Sequence, residues 1–305
     1  MPRPRLHVLG ASAARPYPDA PASAAHVTAG GTRVLLDCSE GTLVELERLG
    51  LSPMRLHAVL VTHLHGDHVF GLPGLLTTLA LGGRTSALRL VGPGGLGAYV
   101  ADTLRHAHAR LSYPLEVVEA STEHPRPDHM RVGALTVHTL PLRHRVPCCG
   151  YVLERRDPGR RLRPGVVERH GIPFERIADL RRGEDLRLAD GTVLANGDLT
   201  LPPPPLAVLA YLTDTEPLGG WPDALPRPSL LVHDATFAEA ERELARRSGH
   251  STAVEAAAFA KTCGAERLLL THVSVRYRDP EVLAEEARHV FAEAGLAAPG
   301  EAYEL

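Results

Sequence analysis

Short apolar runs that end in a polar residue recur along the chain. They are LHAVLVTH ending at His63, LTVHTLPLRH at His144, PLAVLAYLTD at Asp214, PSLLVHD at His233 and Asp234, and ERLLLTH at His272. Runs of this length and composition are typical of buried β-strands. Each polar residue at the end of a run can bind a metal or carry a proton, so the sequence predicts strands with functional ends.

Segments in which apolar residues recur with helical spacing lie between these runs. They cover residues 42–49, 96–108, 237–247, 252–263 and 281–294. Because strands and helices alternate, the pattern predicts an α/β fold built in layers. A chain of 305 residues is long enough for one large α/β domain or for two smaller ones. We interpret residues 1–305 as a single domain.

One stretch, from about 154 to 190, breaks this alternation. It is rich in arginine, proline and glycine, and its apolar residues show little periodicity. Residues 154–187 contain ten arginines against seven acidic residues. We predict an arm inserted into the domain, and a solvated loop is the alternative.

Composition and charge exclude several classes of protein. With 44% hydrophobic and 23% charged residues the chain is not disordered, and its net charge of −3 gives no overall attraction to polyanions. No stretch reaches the roughly 18 apolar residues of a membrane helix. The four cysteines form no C-x-x-C pair, and the first residues lack the apolar segment of a secretory signal. We therefore expect a cytoplasmic protein with reduced thiols.

The densest group of candidate ligands is the segment HLHGDH at residues 63–68. It places four metal-binding side chains within six residues, directly after a predicted strand. Gly66 allows a sharp turn, so His63 and His65 can point at one ion while Asp67 and His68 point at a second. This density predicts a site for two metal ions.

Two metal ions need more ligands than one loop provides. His144, Asp214 and His272 are of the right type and follow other predicted strands, and Asp214 could bridge both ions. His138 lies on the same apolar run as His144 and is the alternative ligand. Imidazole and carboxylate ligands without cysteine favour zinc, with Mn²⁺ or Fe²⁺ also possible. Two such ions would activate water for attack on phosphorus or a carbonyl, which predicts a hydrolase.

A second set of proton-handling residues lies in HDATF at 233–237 and in GHST at 249–252. His250 stands where a helix begins, with Ser251 or Thr252 as its cap, and a carboxylate from another strand end could keep its ring protonated. We interpret this set as a general acid and its partner. The alternative is that these residues only cap the helix.

Together these residues resemble the metallo-β-lactamase superfamily and, within it, the ribonuclease Z family of tRNA 3′-processing endonucleases. HLHGDH followed by GLPGLL resembles the whole superfamily, whereas HDATF, HSTA and THVSVRY are far more specific to ribonuclease Z. The resemblance implies an αβ/βα four-layer sandwich, often homodimeric, with two Zn²⁺ ions. It assigns one zinc to His63, His65 and His144, the other to Asp67, His68 and His272, and a bridging position to Asp214.

The resemblance also implies the reaction. Asp67 helps to activate water, and His250, steered by Asp234, protonates the 3′ oxygen that leaves. The products would be a tRNA with a 3′-hydroxyl and a trailer with a 5′-phosphate. Ser274 and Arg276 would face substrate phosphate.

The predicted arm matches the family's tRNA-gripping arm in two places. These are Gly171-Ile172-Pro173 and the turn Leu180-Arg181-Arg182-Gly183, whose two arginines become candidate tRNA contacts. The Gly-Pro pair of the family's arm is missing, Asp234 replaces the family's glutamate, and DCSEGT replaces DCGEGT.

These departures leave two rival functions. One keeps the metal site but hydrolyses a small phosphodiester or another ester. The other is an RNA-binding module with structural metals, which is less favoured because structural zinc sites are closed and often rich in cysteine.

Overall fold

The computed structural model of the chain describes residues 3–14, 20–123, 129–155, 159–188, 190–203 and 206–305. Its strands are β1 (Arg5–Gly10), β2 (Ala24–Ala29), β3 (Thr32–Leu36), β4 (Ala58–Leu60), β5 (Leu88–Gly92), β6 (Leu115–Glu119), β7 (His129–Val132), β8 (Leu135–Pro141), β9 (Cys149–Arg155), β10 (Arg161–Leu162), β11 (Leu186–Arg187), β12 (Val193–Leu194), β13 (Thr200–Leu201), β14 (Val208–Leu212), β15 (Leu230–Asp234), β16 (Leu268–Thr271), β17 (Ala294–Leu296) and β18 (Ala302–Glu304). Its α-helices are α1 (Thr42–Arg48), α2 (Gly66–Val69), α3 (Leu72–Leu81), α4 (Leu96–His106), α5 (Val166–His170), α6 (Ile177–Arg182), α7 (Asn196–Leu199), α8 (Arg242–Ser248), α9 (Ala253–Cys263) and α10 (Glu281–Val290).

Two seven-stranded sheets form the larger of two units, which comprises residues 1–155 and 207–305. The first sheet has the order β18-β1-β2-β3-β4-β5-β6, and the second has the order β17-β16-β15-β14-β9-β8-β7. Strands β3 to β6 of the first sheet are parallel, as are β14 to β17 of the second. The carboxyl ends of neighbouring parallel strands share an edge, where ligands bind in open α/β sheets.

The two sheets face each other across a common core. Leu36 of the first sheet and Leu209 of the second belong to it, and both are fully buried. Leu75 of α3 belongs to a core on the outer face of the first sheet, and Phe259 of α9 belongs to one on the outer face of the second. Burying each such leucine stabilises the fold by about 1.5–3 kcal/mol. The layers run helix, sheet, sheet, helix, so the predicted αβ/βα sandwich is confirmed.

The predicted elements are present, with some differences at their ends. All five apolar runs contain strands, namely β4, β8, β14, β15 and β16. The helix predicted over 237–247 begins only at Arg242, after a 3-10 turn at Glu239–Glu241. Phe237 cannot start it, because its carbonyl accepts the backbone N–H of Ala253 and its backbone pairs with Thr252.

The second unit comprises residues 156–206, and it has a small core of its own. The core contains Val166, Ile172, Leu180, Leu186 and Leu199. The amide of the buried Asn196 donates to the carbonyls of Leu180 and Glu184, both at 2.8 Å. An unpaired buried amide would cost about 1–3 kcal/mol, so this side chain stabilises the unit.

This unit runs further than the arm predicted at about 154–190. Strand β13 pairs back with β10, and β12 pairs with β11, which adds the residues up to 206. Strands of two residues have no periodicity that the sequence could reveal. Residues 156–206 contain nine arginines and eight acidic residues, so the unit is more nearly neutral than the predicted stretch.

The four cysteines are buried and form no disulfide. Burial raises the pKa of the Cys149 thiol to about 12, so this thiol is inert at neutral pH. No helix within the described ranges is long and apolar enough to cross a membrane.

Candidate metal centre

The candidate ligands stand at the carboxyl ends of parallel strands from both sheets. His63 lies three residues after β4, Asp214 lies two residues after β14, and His272 directly follows β16. Asp234 is the last residue of β15. The topology therefore brings residues that are far apart in sequence to one edge of the sandwich.

The first group of side chains consists of His63, His65, His144 and Asp214, whose ligand atoms all lie within 4.8 Å of one another. His65 Nδ1 lies 3.0 Å from His63 Nε2 and 3.3 Å from His144 Nε2. Asp214 Oδ2 lies 3.7 Å from His63 Nε2. His138 belongs to β8 instead, where its Nε2 lies 3.5 Å from Glu154.

The second group consists of Asp67, His68 and His272. Asp67 Oδ2 lies 3.6 Å from His68 Nε2 and 3.5 Å from His272 Nε2. Asp214 also reaches this group, with Oδ1 3.2 Å from His68 Nε2 and Oδ2 3.3 Å from His272 Nε2. One carboxylate thus lies within reach of both groups.

The properties of these groups fit metal ions. Nε2 of His68 is fully buried and has no hydrogen-bond partner within the described part of the chain. Burial holds the pKa of His63 well below its usual value, so its ring is neutral, the form that binds metals. Burial alone would raise the pKa of the Asp67 carboxyl. The hydrogen bond from His272 and the nearby imidazoles outweigh burial, so the pKa of Asp67 lies below its usual value. The donor set therefore combines imidazoles with carboxylates, both of which zinc takes as ligands in proteins.

Several residues around this centre have left-handed backbone conformations. Asp37, Asp214 and His272 have φ values of 57°, 53° and 58°. Ala14 has a φ of 67°, and its N–H donates to Asp67 Oδ2 at 2.9 Å. Non-glycine residues adopt such conformations at a cost of about 1–3 kcal/mol, and they do so most often at functional sites.

Asp37 is a supporting residue to which the sequence analysis assigned no role. Its buried carboxylate faces Nδ1 of His68 at 2.9 Å and accepts the N–H of Thr62 at 2.7 Å. This contact leaves Nε2 of His68 free to face the second group, and such partners fix the tautomer of a metal-binding histidine. Asp37 directly follows the apolar strand β3, so the rule used for the other strand ends could have identified it.

The proposed general acid lies against both groups. His250 Nδ1 lies 2.7 Å from Asp234 Oδ2, and the His250 ring stacks on His272 with centroids 5.0 Å apart. Asp234 is held in turn by the N–H groups of Thr215 at 3.0 Å and Thr236 at 2.9 Å. The shorter aspartate therefore still reaches His250.

The charge of Asp234 controls the protonation of His250. Burial lowers the pKa of His250, but the charge and hydrogen bond of Asp234 outweigh this and raise it above its usual value. Asp214, His250 and His272 also form a third close trio. Because Nδ1 of His250 is committed to Asp234, Nε2 is the nitrogen that faces the centre.

The candidate phosphate contacts Ser274 and Arg276 contact each other near this site. Arg276 Nε donates to Ser274 Oγ at 3.1 Å, and its Nη1 lies 2.8 Å from Glu241. Its guanidinium also lies 4.9 Å from the centre of the Phe237 ring. Arg276 is therefore held by an acidic residue that a phosphate would have to replace.

The candidate tRNA contacts Arg181 and Arg182 lie at the end of α6, in the second unit. The exposed guanidinium of Arg182 pairs with Asp179 and, at 3.0 Å, with Glu184. The half-buried Arg181 accepts the N–H of Arg160 with its carbonyl at 2.9 Å.

Arg145 is a further residue that the sequence analysis missed. It follows the candidate ligand His144, and its positive charge acts on the rings of His65 and His250. A Cβ added to Gly249 would lie 3.3 Å from its Cγ, so Arg145 packs beside the turn that precedes His250. It makes no ion pair with an acid among the described residues. The chain contains many arginines, so only the fold shows that Arg145 lies beside the candidate metal centre.

Comparisons with known proteins show which family this chain resembles. A family model described as a β-lactamase superfamily domain matches residues 32–203. The chain is 41% identical to Ribonuclease Z of Salinibacter ruber, over 97% of this chain and 93% of that protein. It is 38% identical to Ribonuclease Z of Ignicoccus hospitalis, over 95% of each.

A solved structure extends the likeness to the fold. The crystal structure of human tRNase Z, short form, is 26% identical to this chain, with a TM-score of 0.69 and coverage of 98% of each chain. The resemblance inferred from HLHGDH, HDATF, HSTA and THVSVRY is thereby confirmed. The chain belongs to the ribonuclease Z family of the metallo-β-lactamase superfamily.

Proposed function

We propose that this protein is a zinc-dependent endoribonuclease that removes the 3′ trailer of tRNA precursors. The observation that carries the proposal is the position of the His250–Asp234 pair against two groups of metal-binding side chains. Metal groups alone would suit any hydrolase of the superfamily. The added proton donor suits a reaction whose leaving group is an alkoxide, as in RNA cleavage, and relatives named Ribonuclease Z support the choice of RNA.

The residues divide between two ions. His63, His65 and His144 would hold one zinc, and Asp67, His68 and His272 the other, with Asp214 between them. Mn²⁺ or Fe²⁺ could also occupy such ligands. The chemistry that bound ions supply is activation of water and neutralisation of negative charge at phosphorus.

The protein's own groups account for the proton transfers. Asp67, oriented by the N–H of Ala14, accepts a proton from the attacking water. The water oxygen bonds to phosphorus as the bond from phosphorus to the 3′ oxygen breaks. Nε2 of His250 donates its proton to that oxygen. The tRNA keeps a 3′-hydroxyl, and the trailer carries the 5′-phosphate.

Arg145 supplies the positive charge that substrate phosphate needs near His250. It has no acidic competitor within the described residues, whereas Arg276 would have to exchange Glu241 for a phosphate. Ser274, which accepts a hydrogen bond from Arg276, would then contact the same phosphate.

The second unit is proposed to grip the tRNA, with Arg181 and Arg182 among its contacts. It is inserted between β9 and β14, where Glu154 pairs with Val208 and the N–H of Arg155 donates to Ala207 at 3.0 Å. Because these strands already adjoin, an Asn-Gly hairpin turn can replace residues 156–206.

We expect this replacement to lower kcat/KM for a tRNA precursor by about 10²-fold or more, because phosphate contacts dominate RNA affinity. Hydrolysis of bis(p-nitrophenyl) phosphate should stay within about twofold, since a small diester reports only on the metal centre. Steady-state kinetics on both substrates tests this. Equal losses on both would point to damage of the centre and remove the assigned role.

The proposed activity is tested with a 3′-extended tRNA precursor and the zinc-loaded protein. We expect a single cut next to the discriminator nucleotide, mapped at single-nucleotide resolution, with products ending in a 3′-hydroxyl and a 5′-phosphate. Asp67→Ala is the control and should lose cleavage while its circular dichroism spectrum stays unchanged. Asp67-dependent hydrolysis of the small diester without any cut in the precursor would support the small-phosphodiester alternative instead.

A homodimer and a cytoplasmic location complete the proposal. The family resemblance supports the dimer, and sedimentation equilibrium at micromolar concentration tests it. Four buried, free thiols are consistent with a reducing compartment.

A further inference from the structure

A cavity of about 490 Å³ lies next to the candidate metal centre. Its lining includes Ala11 and Ser12, after β1, and Val273 and Ser274, after the ligand His272. These two segments are joined by backbone hydrogen bonds, from Val273 N to Ala11 O at 2.9 Å and from Ala13 N to Val273 O at 3.0 Å. The cavity wall is thus continuous with the backbone that carries His272.

The lining has an apolar wall, a few polar groups and one charge. Leu296, Ala297 and Pro299 contribute to the apolar wall, and the hydroxyl-bearing Ser12 and Ser274 interrupt the lining. The exposed Arg278 is the charged residue of the lining, and it makes no ion pair within the described ranges. A ligand that is apolar on its faces, polar at its edges and attached to an anion would match this combination.

Tyr277 supplies an aromatic ring to the cavity and is held in place by its hydroxyl. That hydroxyl accepts the N–H of Ala238 at 2.8 Å and donates to Glu241. The polar end of the side chain is therefore committed to the protein, which leaves the ring as an apolar surface for a ligand. Single-stranded RNA is commonly bound by stacking its bases on such rings.

The size of the cavity limits what can enter. Small-molecule sites have volumes of about 300–1,000 Å³, so 490 Å³ admits one nucleoside but no duplex. In the proposed reaction a single-stranded 3′ end crosses the metal centre, beside which Val273 begins the cavity wall. A base on either side of the cut phosphate could reach it.

We propose that this cavity binds the base of one nucleotide adjacent to the cleaved phosphate, stacked on Tyr277, with Arg278 facing the sugar-phosphate backbone. The proposal rests on the proposed function, because it takes the RNA strand as the ligand. The base comes from the last nucleotide of the tRNA or from the first nucleotide of the trailer. Substrates altered at each position distinguish these two sources.

The test uses precursors that lack the base at one of the two positions, each compared with the intact precursor. We expect one of the two abasic substrates to lower kcat/KM of the wild-type enzyme by about tenfold or more, the usual effect of losing one stacked base. For Tyr277→Ala, kcat/KM for the same abasic substrate should lie within about twofold of kcat/KM for the intact precursor. Tyr277→Phe keeps the ring and should remain as sensitive as the wild type. Circular dichroism and zinc content show whether each variant is folded.

A second measurement does not depend on turnover. The inactive Asp67→Ala protein would be mixed with precursors that carry 2-aminopurine at either position, and fluorescence would be recorded. Quenching at one position, abolished by adding Tyr277→Ala, supports stacking in the cavity. Fluorescence that is unchanged by Tyr277→Ala overturns it.

The outcomes separate this proposal from the proposed function. If the wild-type enzyme cuts intact and abasic precursors equally well, the cavity binds no base but the endonuclease assignment stands. If the wild-type enzyme cuts no precursor, both proposals fall. Equal sensitivity to the missing base in the wild type and in Tyr277→Ala would place the base elsewhere.

Discussion

Asp214→Asn should lower cleavage of a tRNA precursor by at least about 10³-fold, because the two ions of the proposed centre would supply several kcal/mol of charge stabilisation and each 1.36 kcal/mol is tenfold in rate. Asp214 is the carboxylate within reach of both ligand groups. Its Oδ2 lies 3.3 Å from His272 Nε2 and 3.7 Å from His63 Nε2. Without its charge neither of the proposed ions would keep its full set of anionic ligands, so the zinc content should fall below two per chain.

Asparagine is the right substitution because it isolates charge from backbone conformation. Asp214 has a φ of 53°, a left-handed conformation that asparagine tolerates as well as aspartate does. Asparagine also keeps an oxygen for the hydroxyl of Thr213, which donates to Asp214 Oδ1 at 2.8 Å. A loss of activity therefore reports on the metal centre rather than on the fold.

The measurement pairs zinc analysis by mass spectrometry with cleavage kinetics on the same preparation. Asp102→Asn is the matched control, since Asp102 is exposed on α4 and, among the residues that the structure describes, forms its ion pair only with Arg105, at 2.9 Å. It should keep wild-type zinc and wild-type turnover. Two zinc ions per chain and near-normal cleavage in Asp214→Asn would remove Asp214 from the metal centre.

The strand-end pattern predicted most of the candidate site because the physics behind it is local. A buried strand appears in the sequence as an apolar run. The polar residue that ends the run must lie at the edge of the sheet. His63, Asp214 and His272 could therefore be placed at one edge before any contact was known. The apolar run alone left the choice between His138 and His144 open; the family resemblance pointed to His144, and the structure places His138 within β8.

The remaining features depend on tertiary contacts that no local pattern encodes. The strand-end rule could have placed Asp37 at the sheet edge, but not its contact with His68, 31 positions away. Tyr277 is fixed by Ala238 and Glu241 on a separate segment. The second unit ends at residue 206 because β13 pairs back with β10, a two-residue pairing without periodicity. Sequence reasoning could identify candidate ligands, but it could not predict which groups hold them in position.

His250→Ala is expected to lower kcat for a tRNA precursor by about 10²-fold to 10⁴-fold, the usual contribution of a general acid. The leaving 3′ oxygen of RNA is a poor leaving group and needs a proton, which Nε2 of His250 would supply in the proposed reaction. The p-nitrophenolate that leaves from bis(p-nitrophenyl) phosphate is stable without one. The same variant should therefore lose much less activity on that small diester.

The comparison of the two substrates separates acid catalysis from structural damage. His289→Ala, at an exposed position on α10, is the matched control and should leave both activities unchanged. Equal losses of His250→Ala on both substrates would instead mean that His250 serves the metal centre, as the close trio with Asp214 and His272 would allow.

Asp234→Asn measures the same role through the pH dependence. Burial lowers the pKa of His250, but the charge and hydrogen bond of Asp234 raise it above its usual value overall. Removing that charge therefore lowers the pKa of His250. Because a general acid must be protonated, kcat falls as the pH rises through this pKa, and in Asp234→Asn the fall should begin at lower pH. If kcat drops in Asp234→Asn but still falls with rising pH at the same pH as in the wild type, Asp234 has a packing role only.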